Sequence, residues 1–237
     1  MSESELIGRL IEAQRAGARS VDQGEMVEID RVAAYRIQAG VMHGLGERPG
    51  VIKTAVQSDG LGVAAPIYAS HVGHAPRFSL SASRIVGLEV EVGLVLSRDV
   101  ASSADLPGAI DHFFLGIEVC GTRLVDRKAA TASSGLADNM SAFGYVIGGR
   151  RTAGDSISGL NVELKVDGQV IHDAPAKHGF GTVLASLMAY ADRQVRHLPL
   201  HAGTVITTGS MCGLVPWSTP GVVVASLGAE SVSFTLA

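Results

Sequence analysis

The segment Ile85-Val86-Gly87-Leu88-Glu89-Val90-Glu91-Val92 opens a run of alternating apolar residues that continues to Val100. Successive side chains of a strand alternate faces, so Glu89 and Glu91 point the same way, roughly 6.6 to 7 Å apart. Two carboxylates on one face repel each other, and a hard divalent cation between them relieves the repulsion. Glu118, in a second apolar run, supplies a third carboxylate, and three such ligands leave half of an octahedron open for a substrate. The alternative is a solvated strand face, which is the commoner explanation of a lone Glu-x-Glu pair.

The composition limits the classes of partner. The 237-residue chain has 46% hydrophobic and 18% charged residues, which is typical of a compact globular protein with one main domain. A net charge of −4, without any Lys/Arg-rich run, argues against nucleic acid as a partner. No apolar stretch approaches the roughly 18 residues that span a membrane, and the acidic first residues do not resemble a signal peptide. We therefore expect a cytoplasmic protein with reduced Cys120 and Cys212, and the low charge content favours a homo-oligomer.

Helical periodicity predicts two N-terminal helices and one long later helix. A capping box at residues 2–5 starts the first, which ends at Gly17. Asp30 caps the second, which ends at residues 44–46. The long helix covers residues 183–195, and its apolar stripe should pack on a sheet.

Most of the remaining chain has the pattern of short, β-branched-rich strands separated by glycines. The predicted strands are 51–56, 78–83, 85–100, 113–124, 143–147, 160–166, 169–172, 204–208, 222–226 and 231–236. Asp167-Gly168 between two of them predicts a type I′ hairpin, since both central residues need positive φ. The fold class is therefore α+β, with an N-terminal helical segment at residues 1–48 and a β-rich domain at 49–237 that form one structural unit.

Lys53 lies among apolar residues of the first predicted strand. If its side chain faces inward, it needs a partner or a function, and a buried lysine suits proton transfer or the binding of a carboxylate. The equal alternative is a side chain directed to solvent. Asn139 and the pair Thr208 and Ser210 lie in polar turns that could present amides and hydroxyls to an anion, although ordinary turn chemistry explains either turn alone.

Taken together, these motifs resemble one branch of the fumarylacetoacetate hydrolase superfamily, that of the 2-keto-4-pentenoate hydratases and 4-oxalocrotonate decarboxylases. The resemblance spans nearly the whole chain, and its motifs are specific only in their order and spacing. They are Ala34-Tyr35-Arg36-Ile37-Gln38, Gly50-Val51-Ile52-Lys53, Leu88-Glu89-Val90-Glu91-Val92, Ser97-Arg98-Asp99, Ile117-Glu118-Val119, Ala137-Asp138-Asn139 and Thr208-Gly209-Ser210.

The resemblance implies a mixed β-roll with N-terminal helices, of the type found in the C-terminal domain of fumarylacetoacetate hydrolase. It implies a catalytic domain in which Mg²⁺ or Mn²⁺ is held by Glu89, Glu91 and Glu118 and chelated by a small 2-oxo or 2-hydroxydienoic acid. Lys53 would be the catalytic proton carrier or carboxylate anchor. The implied substrate-binding residues are Asn139, Thr208, Ser210 and Arg123.

Two positions depart from the family pattern. Ile67 stands directly after Pro66, where the family commonly has an aspartate, and Gly121 stands where an acidic residue follows the third glutamate by three positions. Both changes affect water addition more than chelation.

The activity that this resemblance favours is hydration of a 2-hydroxypenta-2,4-dienoate-type substrate, in the catabolism of aromatic compounds. The alternatives are decarboxylation of a 2-oxo-dioic acid, carbon–carbon hydrolysis of an acylpyruvate, and a catalytically impaired binding relative.

Overall fold

The computed structural model describes residues 2–81 and 83–237 of the chain. Four α-helices lie within these ranges: α1 (Glu3–Ala16), α2 (Arg31–Leu45), α3 (Ala132–Ala137) and α4 (Ala185–Ala191). The strands there are β1 (Pro49–Val56), β2 (Gly62–Tyr68), β3 (Val72–His74), β4 (Ser79–Leu80), β5 (Ile85–Leu96), β6 (Ile110–Gly121), β7 (Ala142–Arg151), β8 (Asn161–Val166), β9 (Gln169–Pro175), β10 (Val205–Ser210), β11 (Gly221–Leu227) and β12 (Glu230–Leu236). The predicted α+β class is confirmed.

The N-terminal helices begin and end where the sequence predicts. The hydroxyl of Ser2 accepts a hydrogen bond from the Glu5 backbone N–H, and the Glu5 carboxylate accepts one from the Ser2 backbone N–H. Gly17 ends α1 in the left-handed region at φ 61°. Asp30 caps the start of α2, and Gly46 ends it at φ 69°. Local capping chemistry therefore fixes both helices.

A seven-stranded sheet forms the first layer, with the strand order β2-β1-β10-β5-β6-β7-β3. β2 forms one edge, and β3, which follows β2 after a short 3-10 turn, pairs in parallel with β7 at the other edge. Because only the three residues Ala69–His71 lie between β2 at one edge and β3 at the other, the sheet must curl almost into a barrel. The inner face of this curl is the region where the acidic residues meet.

A five-stranded sheet, in the order β4-β12-β11-β8-β9, packs against the outer face of β5, β6 and β7. Apolar side chains from both sheets fill the space between them, among them Val90, Val92, Ile117, Leu164 and Phe234. The hairpin between β8 and β9 turns through Asp167 at φ 49° and Gly168 at φ 80°, which confirms the predicted type I′ turn. Burial of the even-numbered residues of β5 in this layer directs the odd-numbered Glu89 and Glu91 to the inner face.

The helices cover the rest of the first sheet. Leu6 and Leu10 of α1 pack with Ile37 of α2 and Leu136 of α3 in one apolar cluster. α4 packs on β1 and β2, where Leu187 is fully buried. None of the helices in the described residues has both the length and the apolar character needed to cross a membrane. The division of the chain at residue 48 and its oligomeric state stay predictions.

The predicted long helix lies at the right place, but its predicted length is wrong. α4 ends at Ala191, and the segment that follows forms turns. Tertiary hydrogen bonds hold these turns: the Tyr190 hydroxyl donates to the Leu198 carbonyl at 2.8 Å, and Asp192 accepts from the Ser103 backbone N–H at 2.7 Å. The apolar periodicity of the segment does not reveal these contacts.

Two strands were not predicted, and the predicted strands at 78–83 and 85–100 are shorter in the structure, where β5 ends at Leu96. β2 contains Pro66, which argues against a strand in the middle of a sheet but is tolerated at an edge, where β2 lies. β3 has only three residues. Of the predicted strand at 78–83 the structure has Ser79–Leu80, and Ala82 lies outside the described residues.

Candidate active site

The acidic residues meet because β5 and β6 pair in one particular register. Glu89 on β5 lies directly opposite Glu118 on β6, and Glu91 lies opposite Gly116. All three carboxylates therefore belong to the inner face of the curled sheet. Two of them are fully buried, with Glu91 and Glu118 both 0% exposed. The alternative of a solvated strand face is wrong for this Glu-x-Glu pair.

Lys53 reaches the same place from β1, so its side chain faces inward rather than to solvent. Its ammonium Nζ donates to Glu118 Oε1 at 2.6 Å, and it lies 3.5 Å from Glu89 Oε2 and 3.4 Å from the Met140 carbonyl oxygen. Burial by itself would lower the pKa of Lys53, but Glu118 and Glu89 outweigh burial and hold that pKa well above its ordinary value. Lys53 is therefore charged at neutral pH.

The negative charge of this cluster is not fully balanced by the described side chains. Both carboxylate oxygens of Glu91 and Oε2 of Glu118 are buried without a hydrogen-bond partner among the described residues. Burial, and then the charges of Glu118 and Glu89, raise the pKa of Glu91 well above its ordinary value. When all three carboxylates are ionised, they and the one ammonium carry two net negative charges, which is the charge that one divalent cation would neutralise. The donor set is thus suited to a hard divalent ion.

A cavity of about 240 Å³ opens onto this cluster and is large enough for a small organic acid. Its lining contains two charged side chains, those of Lys53 and Glu89, together with small, hydroxyl-bearing and apolar residues such as Ala55, Ser210 and Phe180. A larger cleft of about 450 Å³ between Arg48 and His201 contains none of the three glutamates. We therefore place the candidate active site in the smaller cavity, where the charged groups are.

The bulge in β10 shapes one wall of the cavity. The register between β10 and β5 shifts between Thr207 and Ser210, and Gly209 has φ 115° in this bulge. A Cβ atom at Gly209 would lie 2.8 Å from the ring of Phe180. Only glycine therefore allows both this backbone conformation and the close approach of Phe180.

The sequence analysis did not identify Tyr145 as a residue of the site. Tyr145 on β7 is fully buried, and its hydroxyl accepts a hydrogen bond from Thr207 of β10 at 3.1 Å. Burial and the nearby Glu91 charge raise the pKa of Tyr145 well above its ordinary value, so the phenol stays protonated. A Cβ atom at Gly116 would lie 2.3 Å from the Tyr145 hydroxyl oxygen. The glycine opposite Glu91 was the one available sequence signal, because it makes room for a ring.

The segment from Asn139 to Ser141 has a strained backbone beside the cluster. Asn139, Met140 and Ser141 have φ of 54°, 53° and 62°. Each non-glycine residue in this region costs about 1–3 kcal/mol and persists only where surrounding contacts enforce it. The strain places the Met140 carbonyl next to Lys53, and the buried Asn139 side chain keeps an oxygen without a partner among the described residues. The predicted substrate-binding role of Asn139 stays a prediction.

The other predicted substrate-binding residues differ in their access to the cavity. Ser210 lines it, and its hydroxyl donates to the Gly213 carbonyl at 3.0 Å. The structure does not bring Thr208 there, because its buried hydroxyl donates to the Val92 carbonyl at 2.9 Å on the other side of β10. Arg123 does not line it either, since it is 2% exposed and donates to Asp138 at 2.6 Å. We interpret Arg123 as a residue that positions the strained segment after Asp138.

The structure gives a physical account of the two departures from the family pattern. Ile67 is fully buried on the inner face of β2, in a cluster with Val51, Phe114 and Tyr145. An ionised side chain at this position would be costly among these apolar neighbours. Gly121 is tightly enclosed, since a Cβ atom would lie 2.9 Å from Phe143 Cβ.

Comparison with known proteins assigns the family. The profile of the fumarylacetoacetate (FAA) hydrolase C-terminal domain matches residues 64–229, which is more than half of the chain. The three glutamates and the strands β5 and β6 that carry them lie within this match. The chain belongs to the fumarylacetoacetate hydrolase family, as the sequence motifs predict.

Solved structures support the same fold. The 4-oxalocrotonate decarboxylase from Pseudomonas putida G7, complexed with magnesium and adipate, is 18% identical, with a TM-score of 0.77 over 100% of this chain and 99% of that chain. The 2-hydroxyhepta-2,4-diene-1,7-dioate isomerase from Mycobacterium marinum is 17% identical, with a TM-score of 0.54 over 78% of this chain and 73% of that one. The 5-carboxymethyl-2-hydroxymuconate delta-isomerase from Mycobacterium smegmatis is 16% identical, with a TM-score of 0.55 over 78% of this chain and 77% of that one. At these identities the similarity concerns the fold.

Proposed function

We propose that the protein is a divalent-metal-dependent lyase that acts on a short 2-oxo or 2-hydroxydienoic acid. The observation that carries this proposal is the convergence of Glu89, Glu91, Glu118 and the charged Lys53 at a cavity of about 240 Å³. The partnerless carboxylate oxygens of Glu91 and Glu118 fit Mg²⁺ or Mn²⁺, both of which prefer oxygen ligands. The magnesium in the P. putida decarboxylase structure supports the same choice of metal.

When bound, a divalent ion supplies positive charge where negative charge develops on the 2-oxygen of the substrate. The chain's own residues supply the rest of the chemistry. The Lys53 ammonium attracts the substrate carboxylate and holds a proton at Nζ that it can give to a carbon atom. Phe180 and Ala55 supply apolar surface to the wall of the cavity.

Within this class the geometry favours decarboxylation of a 2-oxo-dioic acid. Decarboxylation moves the electron pair of a carbon–carbon bond toward the 2-oxygen, releases carbon dioxide and needs no activated water. The apolar environment of Ile67 leaves no acid at that position to direct water. Apart from Lys53 and Glu89, no ionisable side chain is among the residues described as lining the cavity.

Hydration of a 2-hydroxydienoate is the second candidate, and one observation favours it. Glu89 lines the cavity and keeps 16% of its side chain exposed, unlike Glu91 and Glu118. A carboxylate in this position can accept a proton from an attacking water. Hydration in this site would therefore use Glu89 as the proton acceptor, in place of an acid at position 67.

The test is a product assay with purified protein and Mg²⁺ or Mn²⁺. We expect metal-dependent release of carbon dioxide from a 2-oxo-dioic acid, lost in Glu89→Gln and retained in the surface control Glu163→Gln. Loss of 2-hydroxydienoate absorbance beyond spontaneous ketonisation would establish hydration, and pyruvate release from an acylpyruvate would establish hydrolysis. Metal binding with no turnover of any of the three substrates would contradict the lyase and support a binding relative.

A further inference from the structure

A second set of metal donors shares two of the three glutamates. Among the described residues, one donor atom each of Glu89, Glu118 and Cys120 lie within 4.8 Å of one another, and Glu91 lies outside this group. Glu118 and Cys120 are two residues apart on β6, so their side chains share the inner face. The Cys120 thiol donates to Glu118 Oε1 at 3.5 Å.

Burial gives this set the character of a site rather than of a chance cluster. Cys120 is 2% exposed and Glu118 is 0% exposed. Oε2 of Glu118 has no hydrogen-bond partner among the described residues, while Oε1 receives the Lys53 ammonium. Glu118 therefore has a buried oxygen, beside the buried Cys120 thiol, that is available to bind a metal ion.

The chemistry of these donors differs from that of the three glutamates. Mg²⁺ takes oxygen ligands, whereas a thiolate with carboxylates suits borderline or soft ions such as Zn²⁺ and Cd²⁺. Two carboxylates and a thiolate carry three negative charges, and Lys53 with one divalent ion balances them. The thiol proton leaves to solvent when the ion binds.

We propose that Glu89, Glu118 and Cys120 form a binding site for thiophilic divalent ions, and that such an ion excludes the Mg²⁺ or Mn²⁺ of the proposed function. The thiophilic site itself does not depend on the proposed function. The exclusion of Mg²⁺ or Mn²⁺ does rest on it, because both ions need Glu89 and Glu118. Glu91 completes the set for the hard ion, and Cys120 completes the set for the thiophilic ion. The protein is then inhibited by zinc at concentrations set by Cys120.

The experiment titrates metal-free protein with Cd²⁺ and follows the sulfur-to-cadmium charge-transfer absorbance in the ultraviolet. Cys120→Val, which keeps a small buried side chain, is compared with Cys212→Val, in which the second thiol of the chain is removed. We expect the absorbance band in the wild type and in Cys212→Val, and its loss in Cys120→Val with a fall in Cd²⁺ affinity of about tenfold or more. Added Mg²⁺ should suppress the band competitively.

Binding of Mn²⁺, measured by calorimetry, separates this proposal from the proposed function. We expect Cys120→Val to bind Mn²⁺ within about threefold of the wild type, which also shows that it folds, and Cys120→Ser is the second variant if it does not. A band that persists in Cys120→Val, or wild-type Mn²⁺ binding without any cadmium band, overturns the thiophilic site and leaves the proposed function standing. Failure of every variant and of the wild type to bind any divalent ion overturns both.

Discussion

At the scale of single residues, the candidate site is a problem of charge balance. Among the described residues, Lys53 is the one cation that forms ion pairs with Glu89 and Glu118, and its ammonium donates to Glu118 Oε1 at 2.6 Å. The ammonium and a metal ion compete for the same carboxylate. Removal of the Lys53 ammonium therefore affects metal binding and catalysis in different directions.

The first prediction concerns Lys53→Met. The substitution removes the proton carrier, so we expect kcat to fall by about 10²–10⁴-fold. Mg²⁺ affinity should be retained or should rise, because Glu118 no longer holds an ammonium. Enzyme kinetics and calorimetry measure the two effects, with Lys165→Met, a surface ion pair with Glu163, as the control. A parallel loss of Mg²⁺ affinity would show that Lys53 organises the metal ligands instead.

The second prediction concerns Glu91→Gln. Glu91 is buried without partners among the described residues, so without metal its charged form is unfavourable and the neutral amide should leave the melting temperature unchanged or higher. Saturating Mg²⁺, at 100 times its Kd, stabilises the wild type by about 2.7 kcal/mol, or roughly 5–10 °C. We expect this increase to disappear in Glu91→Gln and to remain in Glu163→Gln. Thermal unfolding with and without Mg²⁺ measures this difference in melting temperature. An undiminished increase in Glu91→Gln would show that Glu91 is not a metal ligand.

At the scale of elements, the register of β5 and β6 determines which side chains meet. Glu89 and Glu118 are direct partners, and the next inward pair is Glu91 and Gly116. The Tyr145 ring from β7 occupies the space that a side chain at position 116 would take. The glycine thus links the packing of three strands to the position of Glu91.

The third prediction concerns Gly116→Ala. Its Cβ would lie 2.3 Å from the Tyr145 hydroxyl oxygen, so the ring must move and we expect a loss of about 1–3 kcal/mol of stability. Gly149→Ala on β7 is the matched control, since no atom lies within 4 Å of a Cβ there. Urea unfolding measures both. Combination of Gly116→Ala with Tyr145→Phe should cost less than the sum of the single changes, and strict additivity would contradict the proposed clash.

At the scale of the whole molecule, packing keeps several histidines neutral. Burial lowers the pKa of His71, His178 and His197 below the ordinary value of 6.5. These side chains join distant parts of the chain: His197 hydrogen-bonds the Gln38 side chain of α2 at 2.8 Å, and His71 hydrogen-bonds the Phe143 backbone carbonyl at 3.0 Å. Folding therefore favours their neutral form.

The fourth prediction is a loss of stability in mild acid. A histidine whose pKa is lower in the folded than in the unfolded chain contributes full stability above pH 6.5, and this contribution is lost as the pH falls through the folded pKa. We expect the melting temperature to fall from pH 7 to pH 5, and to fall less steeply in His197→Gln, which can still donate to Gln38. Identical slopes for variant and wild type would show that His197 takes no part in this dependence.

Part of the fold could be predicted because its signals are local. The caps at Ser2, Asp30 and Gly46 and the hairpin at Asp167 depend on residues a few positions apart. β2 was missed because Pro66 contradicts a strand unless the strand is known to lie at an edge, and edges exist only in the assembled sheet.

The sequence by itself determined the two N-terminal helices, the hairpin, the inward alternation of β5 and the three glutamates as candidate ligands, since each follows from residue type and spacing along one element. The tertiary structure decided which groups surround those glutamates: Lys53 from β1, Tyr145 from β7, Cys120 at the end of β6 and Ile67 where an acid would otherwise stand. The physical reason is that strand register and the curl of the sheet arise from packing between distant segments. A change of one residue in register would turn every one of these side chains to the opposite face.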